Sequence, residues 1–288
     1  MVKLKKYEQF ILEKHRPVMK YSAFDWDDNI LFMPTVIHME QLVNDEWVPK
    51  DVSTDEFAKV RTSDNWRPIQ DEEGNWLAFY EFRDFGPRGN QAFIEDMKVA
   101  IQNKSFGPSW DAFIHCLTQG SIFAIITARG HEPDTLRAGV EWIIYNYLTD
   151  EQRTEMGANL TAFMDMFLPN YDIMRESSLQ TMVSAYLDKC DFVGVSASSF
   201  ADKFPGIDPT NPEEAKGAAL TEFVDRIKRY GEMAGGDVEV GFSDDDLKTL
   251  DFVNKHFNEL NKVYDDIIFH LYDTSDPSIK GGVKRNIE

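Results

Sequence analysis

Cysteine is scarce in this chain. Cys116 and Cys190 are the only two in 288 residues, and they stand in unrelated contexts with no C-x-x-C. That excludes a disulfide framework and a thiolate zinc site, and it suits a reducing cytoplasm. Two packed thiols are the expectation, since free cysteine behaves as a small apolar residue. Basic charge is also short: 30 Lys and Arg stand against 50 Asp and Glu, a formal balance of −20. Such a balance opposes general binding to nucleic-acid backbone or to anionic membranes and leaves room only for a local basic pocket. Long apolar runs are missing, so no membrane-spanning stretch is expected. The N-terminal "MVKLKKYEQFILEKHRP" mixes Lys and Glu through its apolar positions and lacks the continuous core of a secretory signal. A soluble cytoplasmic protein is the expectation. G-x-x-x-x-G-K-[ST], G-x-G-x-x-G and H-E-x-x-H do not occur, which removes the usual phosphate loops and the commonest zinc-protease helix. "GVSAS" at 194–198 lacks the final Gly of a nucleophile elbow, so Ser196 reads as a strand residue.

What is present is an ordinary globular balance, 42% hydrophobic and 28% charged, in a chain long enough for one large domain or a core with an insertion. "VMKYSAFDW" (18–26), "SIFAIITARG" (121–130), "CDFVGVSAS" (190–198), "DVEVGFSDDD" (237–246) and "DDIIFHLYDT" (265–274) read as strands. Between them lie helical patterns. "SWDAFIHCLTQG" stops at Gly120, "EPDTLRAGVEWIIYNYL" has Pro133 in its first turn, "NPEEAKGAALTEFVDRIKRYG" runs from Pro212 to Gly231, and "DLKTLDFVNKHFNELNKVY" follows the fourth strand. Strands separated by helices of this length imply βαβ crossovers and a parallel α/β sheet. Residues 149–188, rich in Met and Leu, read as extra helices packed on the core. The last fourteen residues, "SDPSIKGGVKRNIE", read as loose.

Residues 36–107 break the rhythm. "VIHMEQLVNDEWVPKDV" reads as a hairpin turning near Asn44-Asp45-Glu46, "STDEFAKVR" opens with a capping-box pattern, and "RPIQDEEGNWLAFYEF" reads as a second hairpin around Gly74-Asn75. The expectation is a small mixed α+β insertion at 36–107 in a core formed by 1–35 and 108–288. The insertion carries 14 acidic against 8 basic side chains, so it is no nucleic-acid cradle. Arg83 and Arg88 flank a Gly-Pro turn among aromatics. They read equally as grips for a phosphorylated or planar substrate and as solvated tips of a packed hairpin.

"FDWDDN" (24–29) places three carboxylates directly behind an apolar strand, a crowding that demands compensation. Asp25, Asp27 and Asn29 fit the first three ligand positions of a calcium loop, but the sixth is Ile30 and the twelfth Val36, where Gly and Glu belong. In open parallel sheets, ligands gather at the carboxyl ends of strands. Asp25 and Asp27 follow the first strand, Thr127 the second, and Asp244 and Asp245 the fourth, with Lys216 early in the helix that leads to the fourth. A nucleophile, a second acid, a hydroxyl, an ammonium and a metal-binding pair make up the parts of phosphoryl transfer through a covalent intermediate. His131, just after "TARG", could line the site, but the preferred reading is a partly exposed residue at a helix start.

Those four stretches, "FDWDDN", "FAIITARG", "EEAKGAAL" and "VGFSDDD", occur in order and on matching elements, and they resemble the four motifs of the haloacid dehalogenase superfamily. The resemblance covers roughly residues 17–35 and 108–275. It implies a three-layer Rossmann-like sheet of strand order 5-4-1-2-3, with residues 36–107 in the place of the family's first cap. It further implies a phosphatase in which Asp25 attacks phosphorus and Mg²⁺ is bound by Asp25, the backbone carbonyl of Asp27, and Asp244 or Asp245. Asp27 would act as general acid and then base, Thr127 and neighbouring backbone N–H groups such as that of Ala128 would hold phosphoryl oxygens, and Lys216 would counter their charge. Asp246 then reads as a charge at a helix N-terminus. Arg129 reads equally as a substrate contact and as the ion-pair partner of a nearby acid. Where family members commonly have Gly and Thr, this chain has Asp28 and Asn29. The expected substrate is a small phosphate monoester. A nucleic-acid end-processing phosphatase or nucleotidase, and a non-catalytic binding protein, are the alternatives.

Overall fold

The computed structural model describes residues 18–71, 77–167, 178–208 and 211–287. The strands are β1 Val18–Phe24, β2 Ile37–Val43, β3 Glu46–Val52, β4 Trp66–Pro68, β5 Phe123–Thr127, β6 Asp191–Gly194, β7 Asp237–Asp244, β8 Ile267–Asp273 and β9 Val283–Arg285. The helices are α1 Thr54–Val60, α2 Gln91–Gln102, α3 Trp110–Thr118, α4 Pro133–Asn146, α5 Asp150–Phe167, α6 Leu179–Leu187, α7 Ser198–Lys203, α8 Pro212–Ala234 and α9 Leu247–Val263.

One sheet has six strands in the order β6-β5-β1-β7-β8-β9, parallel except for the antiparallel β8–β9 pair. Its central strands are near-continuous apolar runs because helices cover them; every residue of β5, "FAIIT", is buried. Helix α8 packs on β1, β5 and β7, and α9 on β7 and β8. The register is what matters for function. Phe24 pairs with Ser243 across β1 and β7, so the next residues out, Asp25 and Asp244, emerge side by side at the carboxyl edge. A backbone bond from Asp25 N to the Ser243 carbonyl, 3.0 Å, extends the pairing into the turn.

A separate antiparallel sheet has the order β3-β2-β4. The β2–β3 turn at Asn44 and Asp45 has φ of 52° and 64°, the left-handed pair that a tight hairpin needs and that Asn and Asp tolerate. Ser53 closes a capping box with Glu56 at the start of α1. This sheet has its own small cluster, Ile37, Met39, Val52, Ala78 and Phe82, whereas Phe93, Met97, Ala100 and Ile101 of α2 join the larger core.

Several local expectations change. Gly74-Asn75 lies outside the described residues, and "YEF" at 80–82 forms a 3-10 turn instead of a strand. Helix α8 runs past Gly231 to a left-handed stop at Gly235, because Gly231 faces Val238 so closely that a Cβ would come within 2.3 Å of its side chain. Gly231 is a packing residue. Strand β6 ends at Gly194, where the chain at 129–131 crosses so tightly that a Cβ would meet the His131 carbonyl at 2.3 Å; Ser196 therefore sits in a turn. The C-terminal stretch is not loose at 283–285, which pair with β8 and are tied by Arg285 to Asp273. Cys116 and Cys190 are both buried in the larger core. No helix among the described residues is long and apolar enough to cross a membrane.

Candidate active site

Asp25, Asp244 and Asp245 bring carboxylate oxygens within 4.8 Å of one another at the carboxyl edge of the larger sheet. Lys216 reaches them from the first turns of α8, whose start is fixed by Pro212 and by the Asn211 side chain accepting from Glu214 N. Lys216 Nζ donates to Asp25 Oδ1 at 3.0 Å and to Asp244 Oδ2 at 2.7 Å, and Asp244 Oδ1 accepts from Asp246 N at 2.9 Å. Asp246 is the N-cap of α9, accepting from Lys248 N.

Crowding shows in the acidities. Burial pushes the Asp25 carboxyl up to about 8; Lys216 pulls against this, while Asp244 and Asp27 add to it. Burial, then Asp25 and Asp244, push Asp245 up to about 9. Asp244 is raised by burial as well, against Lys216. Burial opposes the charge of Lys216, but Asp244 and Asp25 outweigh it and raise its pKa. One ammonium therefore serves two buried carboxylates, with the half-buried Asp245 beside them, and the cluster is short of positive charge. The donors are all hard carboxylate oxygens, a set suited to a divalent cation of the Mg²⁺ or Ca²⁺ kind. They open on a cleft of about 580 Å³ whose lining includes Asp27, Asp28, Thr54, Ala128, Ser275 and Pro277.

The turn after β1 explains how an acidic run is held. Asp28 takes φ of 56°, the left-handed conformation for which glycine is the usual residue, and its Oδ2 accepts from the Thr54 hydroxyl at 2.7 Å. Turn hydrogen bonds run from Asp28 N to Leu31 O and from Ile30 N and Leu31 N to Trp26 O. Among the described residues, the Asp27 carbonyl between them accepts no backbone hydrogen bond. Asn29 is fully buried. Its Nδ2 donates to the Asp25 carbonyl (2.9 Å) and to Ser243, while its Oδ1 accepts from Ser109 Oγ (2.7 Å) and Thr274 Oγ1 (2.8 Å).

The loop after β5 departs from expectation. Ala128 lines the cleft, while Thr127 is buried beside it, with Oγ1 3.4 Å from the Arg129 backbone nitrogen, and is not among the cleft-lining residues. Arg129 sits in an ion pair and is not among the cleft-lining residues. It is buried, and its Nε and Nη2 donate to Asp27 Oδ2 and Oδ1, both at 2.7 Å. Nη2 also reaches Thr35 Oγ1 at 2.9 Å, and Nη1 lies 3.4 Å from His131 Nε2. His131 is fully buried, not partly exposed; its Nδ1 lies 2.9 Å from Asp84 Oδ1. Burial, then Arg129, lower its pKa to about 4 despite Asp84. A neutral ring that donates to Asp84 from Nδ1 and accepts from Arg129 at Nε2 satisfies both neighbours.

Arg88 also lies outside the cleft lining and is occupied by Glu81, Glu95 and both oxygens of Asp96. Arg83 lies over Phe85 and pairs through its backbone with Gly130, outside the cleft lining. The structure thus gathers Asp25, Asp27, Ala128, Lys216, Asp244 and Asp245 around one cleft and turns Arg129 away from it. Sequence reasoning missed Asn29 as a hub and Thr274 and Ser275 as cleft residues. The last two follow β8 directly, so the rule that strand ends build sites would have found them. No protein-family model, curated protein or solved structure matches this chain.

Proposed function

We propose that this chain is a Mg²⁺-dependent phosphohydrolase that cleaves a phosphate monoester through an aspartyl phosphate on Asp25. The observation that carries the reading is the convergence of Asp25, Asp244 and Asp245 within 4.8 Å beside Lys216. The parallel strands, numbered in chain order, lie 5-4-1-2-3 across the sheet, which supports the finer reading of a three-layer Rossmann-like core of haloacid dehalogenase type with residues 36–107 as its cap.

Asp25 Oδ1 is held by Lys216, so Oδ2 is the attacking oxygen. In the first step the Asp25 oxygen bonds to phosphorus, the bond to the ester oxygen breaks, and that oxygen leaves with a proton from Asp27. In the second step water attacks phosphorus, the bond to Asp25 breaks, phosphate is released, and the proton lost by water passes to Asp27. Lys216 balances charge on the nucleophile and on the phosphoryl oxygens, and the Ala128 backbone lies where strand β5 opens into the cleft. Asp25, Asp244, Asp245 and the Asp27 carbonyl would hold Mg²⁺. When bound, the ion would offset the carboxylate and phosphoryl charge that otherwise repels.

Lys216 is the only basic side chain among the described cleft-lining residues, against six aspartates. This favours a small monoester over a phosphorylated nucleic-acid end. The left-handed Asp28 and the Asn29 hub keep the turn in order without Gly and Thr, which favours turnover over a purely binding role. A panel of small phosphomonoesters and 3′- or 5′-phosphorylated oligonucleotides, assayed with Mg²⁺ and with excess chelator, tests the proposal. Hydrolysis of small esters that needs Mg²⁺ supports it; preference for the oligonucleotides, or metal binding with no hydrolysis of any ester, counts against it.

A further inference from the structure

We infer that Arg129 is a positioning residue that fixes Asp27 for proton transfer, with Thr35 and the His131–Asp84 pair bracing it from behind; the inference rests on the phosphohydrolase reading above. Asp27 sits on a short turn, where a lone carboxylate would rotate about two torsions. A guanidinium presents donors in a rigid fork, and here the fork meets both oxygens at 2.7 Å. The two carboxyl oxygens together offer more hydrogen-bonding positions than the fork uses, so the fork fixes the plane of the group and still leaves positions directed elsewhere. Asp27 accordingly keeps an exposed portion and lines the cleft, whereas the Arg129 side chain is only 1% exposed. An arginine does not deprotonate in proteins, so it orients the acid without competing for its proton.

The guanidinium is also held from the side away from Asp27. Thr35 Oγ1 accepts from Nη2 at 2.9 Å and donates to Asp96 Oδ2 at 2.7 Å; Asp96 is in turn gripped by Arg88. His131 Nε2 faces Nη1, and Asp84 fixes that ring while accepting from Glu132 N and Thr135 Oγ1. The faces of the guanidinium lie over Phe82 at 4.5 Å and Phe93 at 5.5 Å. Rigidity of this kind suits a group that must meet a leaving oxygen in one step and a water in the next.

A purely structural ion pair would behave differently, and the leaving group reveals the difference. An aryl ester such as p-nitrophenyl phosphate departs without a proton, whereas an alkyl ester needs one. In Mg²⁺-loaded protein, Arg129→Gln should lower kcat about 100-fold for alkyl phosphates and about tenfold or less for p-nitrophenyl phosphate, with KM within about twofold. Arg129→Lys, a point donor, should recover only part of the alkyl-ester rate. Thr35→Val, which removes one brace and no charge, should give a smaller loss with the same selectivity, and it decides the matter if Arg129→Gln does not fold. Equal losses for alkyl and aryl esters in these variants, or no loss, would overturn the inference and leave the phosphohydrolase reading standing. A wild-type protein that hydrolyses none of the esters would overturn both.

Discussion

Asn29 Nδ2 donates to the Ser243 carbonyl at 3.2 Å and to its hydroxyl at 3.0 Å, fastening the turn after β1 to the end of β7. The same amide also donates to the Asp25 carbonyl at 2.9 Å, so it ties the first residue after β1 to the residue that precedes Asp244 in β7.

Replacing Asn29 by Leu keeps the volume and removes the hub. Ser109, Ser243, Thr274 and the Asp25 carbonyl would lose a partner in a fully buried place, at a cost on the order of 3–5 kcal/mol. Urea denaturation should show this loss with an unchanged slope. A change below about 1 kcal/mol would mean that the network does not hold the turn.

If the acidic cluster holds Mg²⁺ as proposed, its response to the ion should depend on pH. Asp25 and Asp245, lifted to about 8 and about 9, bind protons more tightly folded than unfolded. Their contribution is therefore fully present at low pH and is lost as pH rises toward 9. In chelator, the melting temperature should fall from pH 6 to pH 9. Mg²⁺ should restore more of it at pH 9 than at pH 6, because ligands must be deprotonated. Asp245→Asn should flatten the fall in chelator and weaken the Mg²⁺ response. An equal Mg²⁺ shift at both pH values would contradict this.

His131 acts in the opposite direction. Its folded value of about 4 lies below the ordinary histidine value near 6.5, so the unfolded chain takes up the proton first as pH falls. Stability from this group is complete above about pH 6.5 and is lost on the way down to about pH 4. Between pH 7.5 and pH 5 the loss should be about 2 kcal/mol. His131→Gln retains a donor and an acceptor but does not titrate, so its stability should fall less over that interval. Identical acid profiles for the two proteins would remove His131 from the account.

The legible parts of this molecule are those that depend on neighbours in sequence. Apolar runs ending in Asp25, Thr127 and Asp244 announce strand ends, and Pro212 with Asn211 announces the helix that carries Lys216, so the acidic cluster and its lysine could be named in advance. Contacts between distant segments could not. The fork from Arg129 to Asp27 depends on how the loop after β5 lies against the turn after β1, and the burial of His131 on where Asp84 returns from the small sheet. Glycine was ambiguous for the same reason. Gly231 reads as a helix stop, and only the approach of Val238 shows that it is a packing residue and that the helix runs on to Gly235.

The most direct measurement is an acid quench of the Mg²⁺-loaded protein during turnover of a small phosphomonoester, followed by peptide mass analysis. The account requires a phosphoryl adduct on Asp25, absent in excess chelator and in Asp25→Asn, whose turnover should also be lost. An adduct on another residue, or an Asp25→Asn protein that hydrolyses the ester at the wild-type rate, would contradict it.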